Sequence, residues 1–179
     1  MPCSKVMKNK FLKTFFGVLS EIPEGIDILL SRESLHYKML RQGGNDPYKI
    51  YGGFKNLESR KLIKNIYGNN YRLTSKGRGW FQKQKFKQLV LRDRNWDKKW
   101  RVVIFDIPEL MRKQRDVFRA KLKSFGFYTF QKSVFVYPFD CQEELGFIGS
   151  YLGVGEYVDL IIADSIGFKE KEIREYYGL

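Results

Sequence analysis

The sequence predicts an α+β protein built in two parts. Three observations carry this. The first half reads helix, helix, helix, hairpin, helix. The second half reads strand, helix, strand, strand, helix, strand. The charge balance changes sharply between them: residues 1–96 hold 20 Lys+Arg and 7 Asp+Glu, residues 97–179 hold 13 of each, so the whole formal net charge of +13 lies in the first half. The boundary is expected near residues 88–97, in "QLVLRDRNWDKK", giving one domain over 1–92 and another over 96–179. No internal repeat or low-complexity linker separates the halves. They are expected to sit close together, with Trp96 and Trp100 packing near the junction.

Composition excludes several classes. The chain has 179 residues, 43% hydrophobic and 30% charged, with an aromatic share of 16% that supplies ample core. No apolar run approaches the roughly 20 residues of a membrane-spanning helix. Lys5, Lys8, Lys10 and Lys13 precede only a short apolar stretch without a small-residue cleavage site, so no signal peptide is expected. Cys3 and Cys141 lie far apart, which argues against a disulfide framework or zinc site and fits a reducing cytoplasm. His36 is the only histidine, so His-based triads and multi-His metal sites are excluded from this sequence. A half carrying +13 attracts polyanions, nucleic acid first. No strongly amphipathic basic helix suggests a membrane surface instead.

In the first half, "NKFLKTFFGVLS" places Phe11, Leu12, Phe15, Phe16 and Leu19 on a helical period. "SRESLHYKMLRQGG" opens with Ser31 or Ser34 as a cap and stops at Gly43-Gly44. "DPYKIYGGFKNLESRKLI" starts with Asp46 as cap and Pro47 at the first helical position. Its Gly52-Gly53 pair leaves open whether this is one helix or two pieces. Ile63–Tyr67 and Tyr71–Thr74 read as a β-hairpin turning at Gly68-Asn69-Asn70. Ser75 is the expected cap of a last helix through Trp80, Phe81 and Phe86. Three helices and a hairpin are the winged helix-turn-helix order, in which the third helix enters the major groove and the hairpin touches the backbone.

Residues 61–90 carry eight basic residues and no acid. The candidate nucleic-acid contacts are therefore Lys49, Lys55, Asn56 and Arg60 in or near the recognition helix, then Lys61, Lys64, Arg72, Lys76 and Arg78, with Tyr48, Tyr51 and Ser59 beside them. Lys and Arg reach phosphates or guanine edges, and Asn pairs with adenine.

In the second half, "WRVVIFDI" is the first strand. "ELMRKQRDVFRAKLKSFG" follows as a helix with Met111, Phe118, Leu122 and Phe125 on one stripe, stopping at Gly126. "FYTFQKSVFVYPF" breaks into two strands at Gln131-Lys132-Ser133. "CQEELGFIGSYLG" gives a second helix through Leu145, Ile148 and Leu152, "EYVDLIIADSI" the last strand, and "KEKEIREYYGL" a closing helix. The βαββαβ order is ferredoxin-like.

Asp106 ends an apolar strand just before Pro108. Read from the residues alone, it either caps the helix beginning at Pro108 to Leu110, a contribution of about 0.5–2 kcal/mol, or pairs with Arg112 or Arg115, or serves as a reactive carboxylate. The cap is the favoured reading.

The block "WDKKWRVVIFDIPELMRKQRDVFRAKLKSFGFYTFQKSVFVYPF" resembles the C-terminal part of repressors related to the phenylacetate-catabolism regulator. The features are the tryptophans before the strand, "FDIPE", the Arg-rich helix with "RD", and "GF" before a strand pair ending in Pro. The same block resembles CRISPR-associated protein two, a ferredoxin-like nuclease, through "FDI" and through "QKSVFV", which carries Ser133 and Phe135. The resemblance covers roughly residues 96–168. The regulator family implies a homodimeric, cytoplasmic repressor of double-stranded DNA, released by a small anionic effector such as an acyl-CoA. The nuclease family implies instead that Asp106 binds Mg²⁺ or Mn²⁺ across a two-fold axis, as an endonuclease or adaptation subunit working with an integrase; hard cations favour such oxygen ligands. Only that second reading calls for a cofactor. An architectural DNA- or RNA-binding protein without operator or catalysis is a third.

Overall fold

The computed structural model describes residues 10–20, 29–31, 47–68, 70–91 and 95–179. The protein is mixed helix and sheet, and its contacts divide it into two compact units, one ending at Gln88 and one spanning Leu89–Leu179.

The first unit contains α1 (Lys10–Ser20), β1 (Leu29–Ser31), α2 (Pro47–Ser59), β2 (Ile63–Tyr67), β3 (Asn70–Leu73) and α3 (Ser75–Gln88). The predicted apolar stripe of α1 holds: Phe11, Phe15, Phe16 and Leu19 are buried with Ile50, Phe54 and Leu57 of α2. The helix expected to start at Pro47 forms, and of the one-piece and two-piece alternatives left open by Gly52-Gly53 it takes the first: α2 runs unbroken. Gly53 is a close approach of α2 to α1, since a Cβ there would collide with the Phe11 ring. That glycine is a packing device rather than a helix breaker. The predicted helix from Ser31 or Ser34 to Gly44, with His36 and the Asp46 cap, lies outside the described residues. Ser31 itself ends β1, a strand too short to show a period.

The antiparallel sheet has the order β1-β3-β2. The hairpin turns through Gly68 at φ 56°, and Asn65 Nδ2 donates to Gly68 O at 2.8 Å. Thr74, predicted as the end of a strand, instead caps α3: its Oγ1 accepts the Gly77 N–H at 2.9 Å, while Arg78 N–H donates to Thr74 O at 2.8 Å. It displaces Ser75 from the predicted cap because its hydroxyl also donates to Lys61 O at 2.7 Å.

The second unit contains β4 (Trp100–Phe105), a turn of tight helix at Glu109–Met111, α4 (Arg112–Ser124), β5 (Tyr128–Gln131), β6 (Val134–Tyr137), α5 (Gln142–Leu152), β7 (Val158–Ala163) and α6 (Glu170–Tyr177). Every strand pair is antiparallel and the order is β5-β6-β4-β7, the ferredoxin-like arrangement expected from βαββαβ. Alternation sets the two faces. Val103, Phe105 and Phe135 face α4, where Phe105 meets Phe118 edge-on at 5.2 Å. Trp100 and Val136 face the other way and are covered by Ile173 and Tyr177 of α6. Tyr177 ties this helix down: its hydroxyl accepts the Tyr128 N–H at 2.8 Å and lies within donor range of Gly126 O and Val136 O. Burial pushes its phenol well above the ordinary value.

Two carboxylates anchor this unit through arginines. Arg101 is only 6% exposed and donates from both Nη atoms to Asp97, which that guanidinium holds down at about 2. Glu170 accepts from Ser165 Oγ at 2.7 Å and from Arg174 at 2.6 Å, and is also held at about 2. Arg174 in turn stacks over Trp96 at 4.5 Å. Both carboxylates titrate below their unfolded values of 3.8 and 4.5. Their stabilisation is therefore complete above those values and lost as pH falls toward 2. Melting temperatures taken from about pH 5 downward should fall steadily, and Asp97→Asn should flatten the fall; a curve indifferent to the substitution would contradict this assignment.

Candidate nucleic-acid interface

The buried side of α2 is set by Ile50, Phe54 and Leu57, at helical spacing. This leaves Tyr48, Lys49, Tyr51, Lys55, Asn56 and Ser59 on its exposed surface. Tyr48 is 86% exposed, and the Lys55 ammonium lies 5.1 Å over the Tyr51 ring. The turn after α2 carries Arg60 and Lys61, β2 carries Lys64, β3 carries Arg72, and the first turn of α3 carries Lys76 and Arg78. All nine predicted contacts, Lys49 to Arg78, are exposed.

The structure gathers part of this set. Lys76 Nζ donates to Arg60 O at 3.0 Å, Arg78 donates to Leu73 O at 3.1 Å, and the Arg60 guanidinium lies 5.6 Å over Trp80. Arg60, Lys61, Lys76 and Arg78 thus sit around the seam between α2 and α3. Lys64 and Arg72 form a second group. They are direct cross-strand partners on the hairpin, beside a recess of about 310 Å³ that also involves Asn65, Ile66, Leu73 and Thr74. Like charges placed opposite one another weaken a hairpin. Lys49 lies near the start of α2. Sequence reasoning missed Tyr67, 82% exposed at the hairpin tip, and Trp80, which supports Arg60. The place of Tyr67 beside the turn glycine Gly68 was the available signal for the first; a half-buried aromatic in a lysine-rich helix gave none for the second.

Asp106 does not cap a helix. Neither Pro108, before the turn at Glu109, nor Met111, before α4, receives a side-chain cap, because Ile107 and Pro108 separate Asp106 from the first of these turns. Nor does Asp106 pair with Arg112 or Arg115. Glu109 takes both, at 3.8 Å and 2.6 Å, and Arg115 holds its carboxyl below the ordinary value. Asp106 is exposed. Its N–H continues the sheet ladder to Tyr157 O at 3.0 Å, and its carboxylate accepts no hydrogen bond among the described residues. Ser133 and Phe135 are placed structurally: Ser133 O accepts the Phe105 N–H at 3.1 Å, and Phe135 is buried against the Phe105 ring. A divalent ion wants several oxygen ligands. The described residues hold no group of three His, Cys, Asp or Glu suited to one.

The antiparallel order β5-β6-β4-β7 defines the second unit as a ferredoxin-like domain. More particularly, residues 93–174 match the family described as PaaX protein central Cas2-like domain. The resemblance to phenylacetate-repressor-like regulators is borne out over that half. No curated protein matches the chain. Among the described residues no helix is long and apolar enough to cross a membrane.

Proposed function

We propose that the chain is a repressor-type transcriptional regulator that binds double-stranded DNA selectively as a homodimer. The first unit acts as a winged helix, with α2 in the major groove and the β2–β3 hairpin on the backbone. The second unit pairs two copies. The observation that carries this reading is the exposure of all nine predicted polar contacts on α2, the hairpin and the start of α3, in a half with all the excess charge. The match to the PaaX central domain supports the regulator over a general nucleic-acid coat. Pairing is supported by the open part of the second sheet beyond α6, where Ile104 and Ile161 are 36% and 47% exposed. A small anionic effector, such as an acyl-CoA, completes the proposed cycle by releasing DNA.

The test is retention of labelled duplexes from upstream of the gene across a salt series, with and without Mn²⁺. Sequence-selective retention is expected, with log K falling linearly against log salt by about 0.9 per neutralised phosphate. Salt-independent binding would contradict the reading, and equal retention of unrelated duplexes would favour the architectural alternative. A second reading, a metal-dependent endonuclease, is favoured by the free carboxylate of Asp106. It requires Mn²⁺-dependent cutting that Asp106→Ala abolishes.

A further inference from the structure

We propose that Lys61 grips a backbone phosphate of the duplex from a strained main-chain position, so that the turn after α2 gives up fold stability for DNA contact. This rests on the DNA-binding reading above. The turn closes α2 in a Schellman arrangement. Leu62 N–H donates to Leu57 O at 2.9 Å, Lys61 N–H donates to Glu58 O at 2.8 Å, and Leu57 and Leu62 are both buried. The residue at the left-handed position of this motif is commonly glycine. Here it is Lys61, with φ 57°. At that φ a side chain crowds the following carbonyl, a cost glycine does not bear.

The fold makes no use of the Lys61 side chain. Its ammonium has no hydrogen bond or ion pair among the described residues. Its backbone, by contrast, is latched to α3. Lys61 O accepts from Thr74 Oγ1 at 2.7 Å, Leu62 O accepts the Thr74 N–H at 3.0 Å, and Lys76 Nζ reaches Arg60 O next door at 3.0 Å. A free ammonium on a fixed Cα, flanked by Arg60 and Lys76, is suited to a compact anionic oxygen. A phosphodiester is the ligand that ammonium takes as a point charge. The other non-glycine residue with positive φ among the described residues differs. Lys98, at φ 63°, sits in a turn closed by Asp97 Oδ1 accepting the Lys99 N–H at 3.1 Å, in the half with no net charge.

Three full-length proteins test this: the parent, Lys61→Gly and Lys61→Gln. Lys61→Gln keeps the strained backbone and loses the charge; Lys61→Gly loses both. Lys61→Gly should melt roughly 2–5 °C above the parent, the relief of strain exceeding the extra freedom glycine brings to the unfolded chain. Both variants should bind duplex several-fold more weakly near 0.1 M salt, with the salt slope reduced by about one. Parent-like affinity and slope in both variants would overturn the phosphate contact. An unchanged or lower melting temperature for Lys61→Gly would overturn the trade. A parent protein that retains no duplex at any salt would remove the DNA-binding reading itself, whereas a binding parent with indifferent variants removes this inference alone.

Discussion

Gly77→Ala is expected to destabilise the first unit by about 2 kcal/mol and to abolish duplex binding near physiological temperature. The gain of about 1 kcal/mol from alanine's helix propensity is set against overpacking, which costs about 1–3 kcal/mol and occasionally more. Here the upper end applies, because the added Cβ would overlap the Leu62 carbonyl oxygen and approach its carbon at 2.8 Å. That is main chain, which has no rotamer to yield. The oxygen is also the acceptor of the Thr74 N–H, so relief means separating α3 from the turn after α2. Gly79, two residues on, is the internal control. It is exposed, and a Cβ added there meets nothing within 4 Å, so Gly79→Ala should stabilise by up to about 1 kcal/mol. Opposite shifts in the two melting curves are the expected result; a neutral Gly77→Ala would mean that the seam between α2 and α3 opens at little cost.

Replacing both Ile104 and Ile161 by Glu should convert the proposed dimer to a monomer and weaken operator binding by about 10²-fold or more, the loss expected when two linked half-sites become independent. The two side chains stand on one sheet face as diagonal neighbours: Ile104 pairs with Asp159 and Val134, and Ile161 with Val102. Both are partly exposed, so each charge can be solvated in a monomer but not in a buried pairing of two copies. Sedimentation gives the mass, circular dichroism checks the fold, and duplex retention gives the affinity. A folded double variant that still sediments as a dimer would place the pairing elsewhere.

The second unit was the more legible half. Strands such as "WRVVIF" and "VFVY" combine β-formers with hard stops at Pro108 and Pro138, and Gly126 ends α4 where its positive φ, 83°, demands glycine. In the first unit the glycine pair left open whether α2 was one helix or two. Gly53 lets the Phe11 ring approach, which only the partner helix reveals. The expected caps at Ser75 and Asp106 failed. Thr74 outcompetes Ser75 through a bond to Lys61, far back in the chain, and Asp106 loses Arg115 to Glu109, both decided by tertiary placement. β1, three residues long, has no period to read. At the candidate interface, the identity of the basic residues was visible in the sequence, but their grouping into a seam set and a hairpin pair was not.

The placement of the tryptophans gives the molecule its own optical probes. Trp96 and Trp100 lie 5.4 Å apart beneath Arg174 in the second unit, while Trp80 lies in the first, under Arg60. Indole emission responds to a nearby cation and to its displacement. Occupation of the Arg60 corner by a polyanion therefore registers at Trp80, and a Trp80→Phe protein retains only the signal of the ferredoxin-like half. Without any attached dye, each half of the chain carries a separate fluorescent readout.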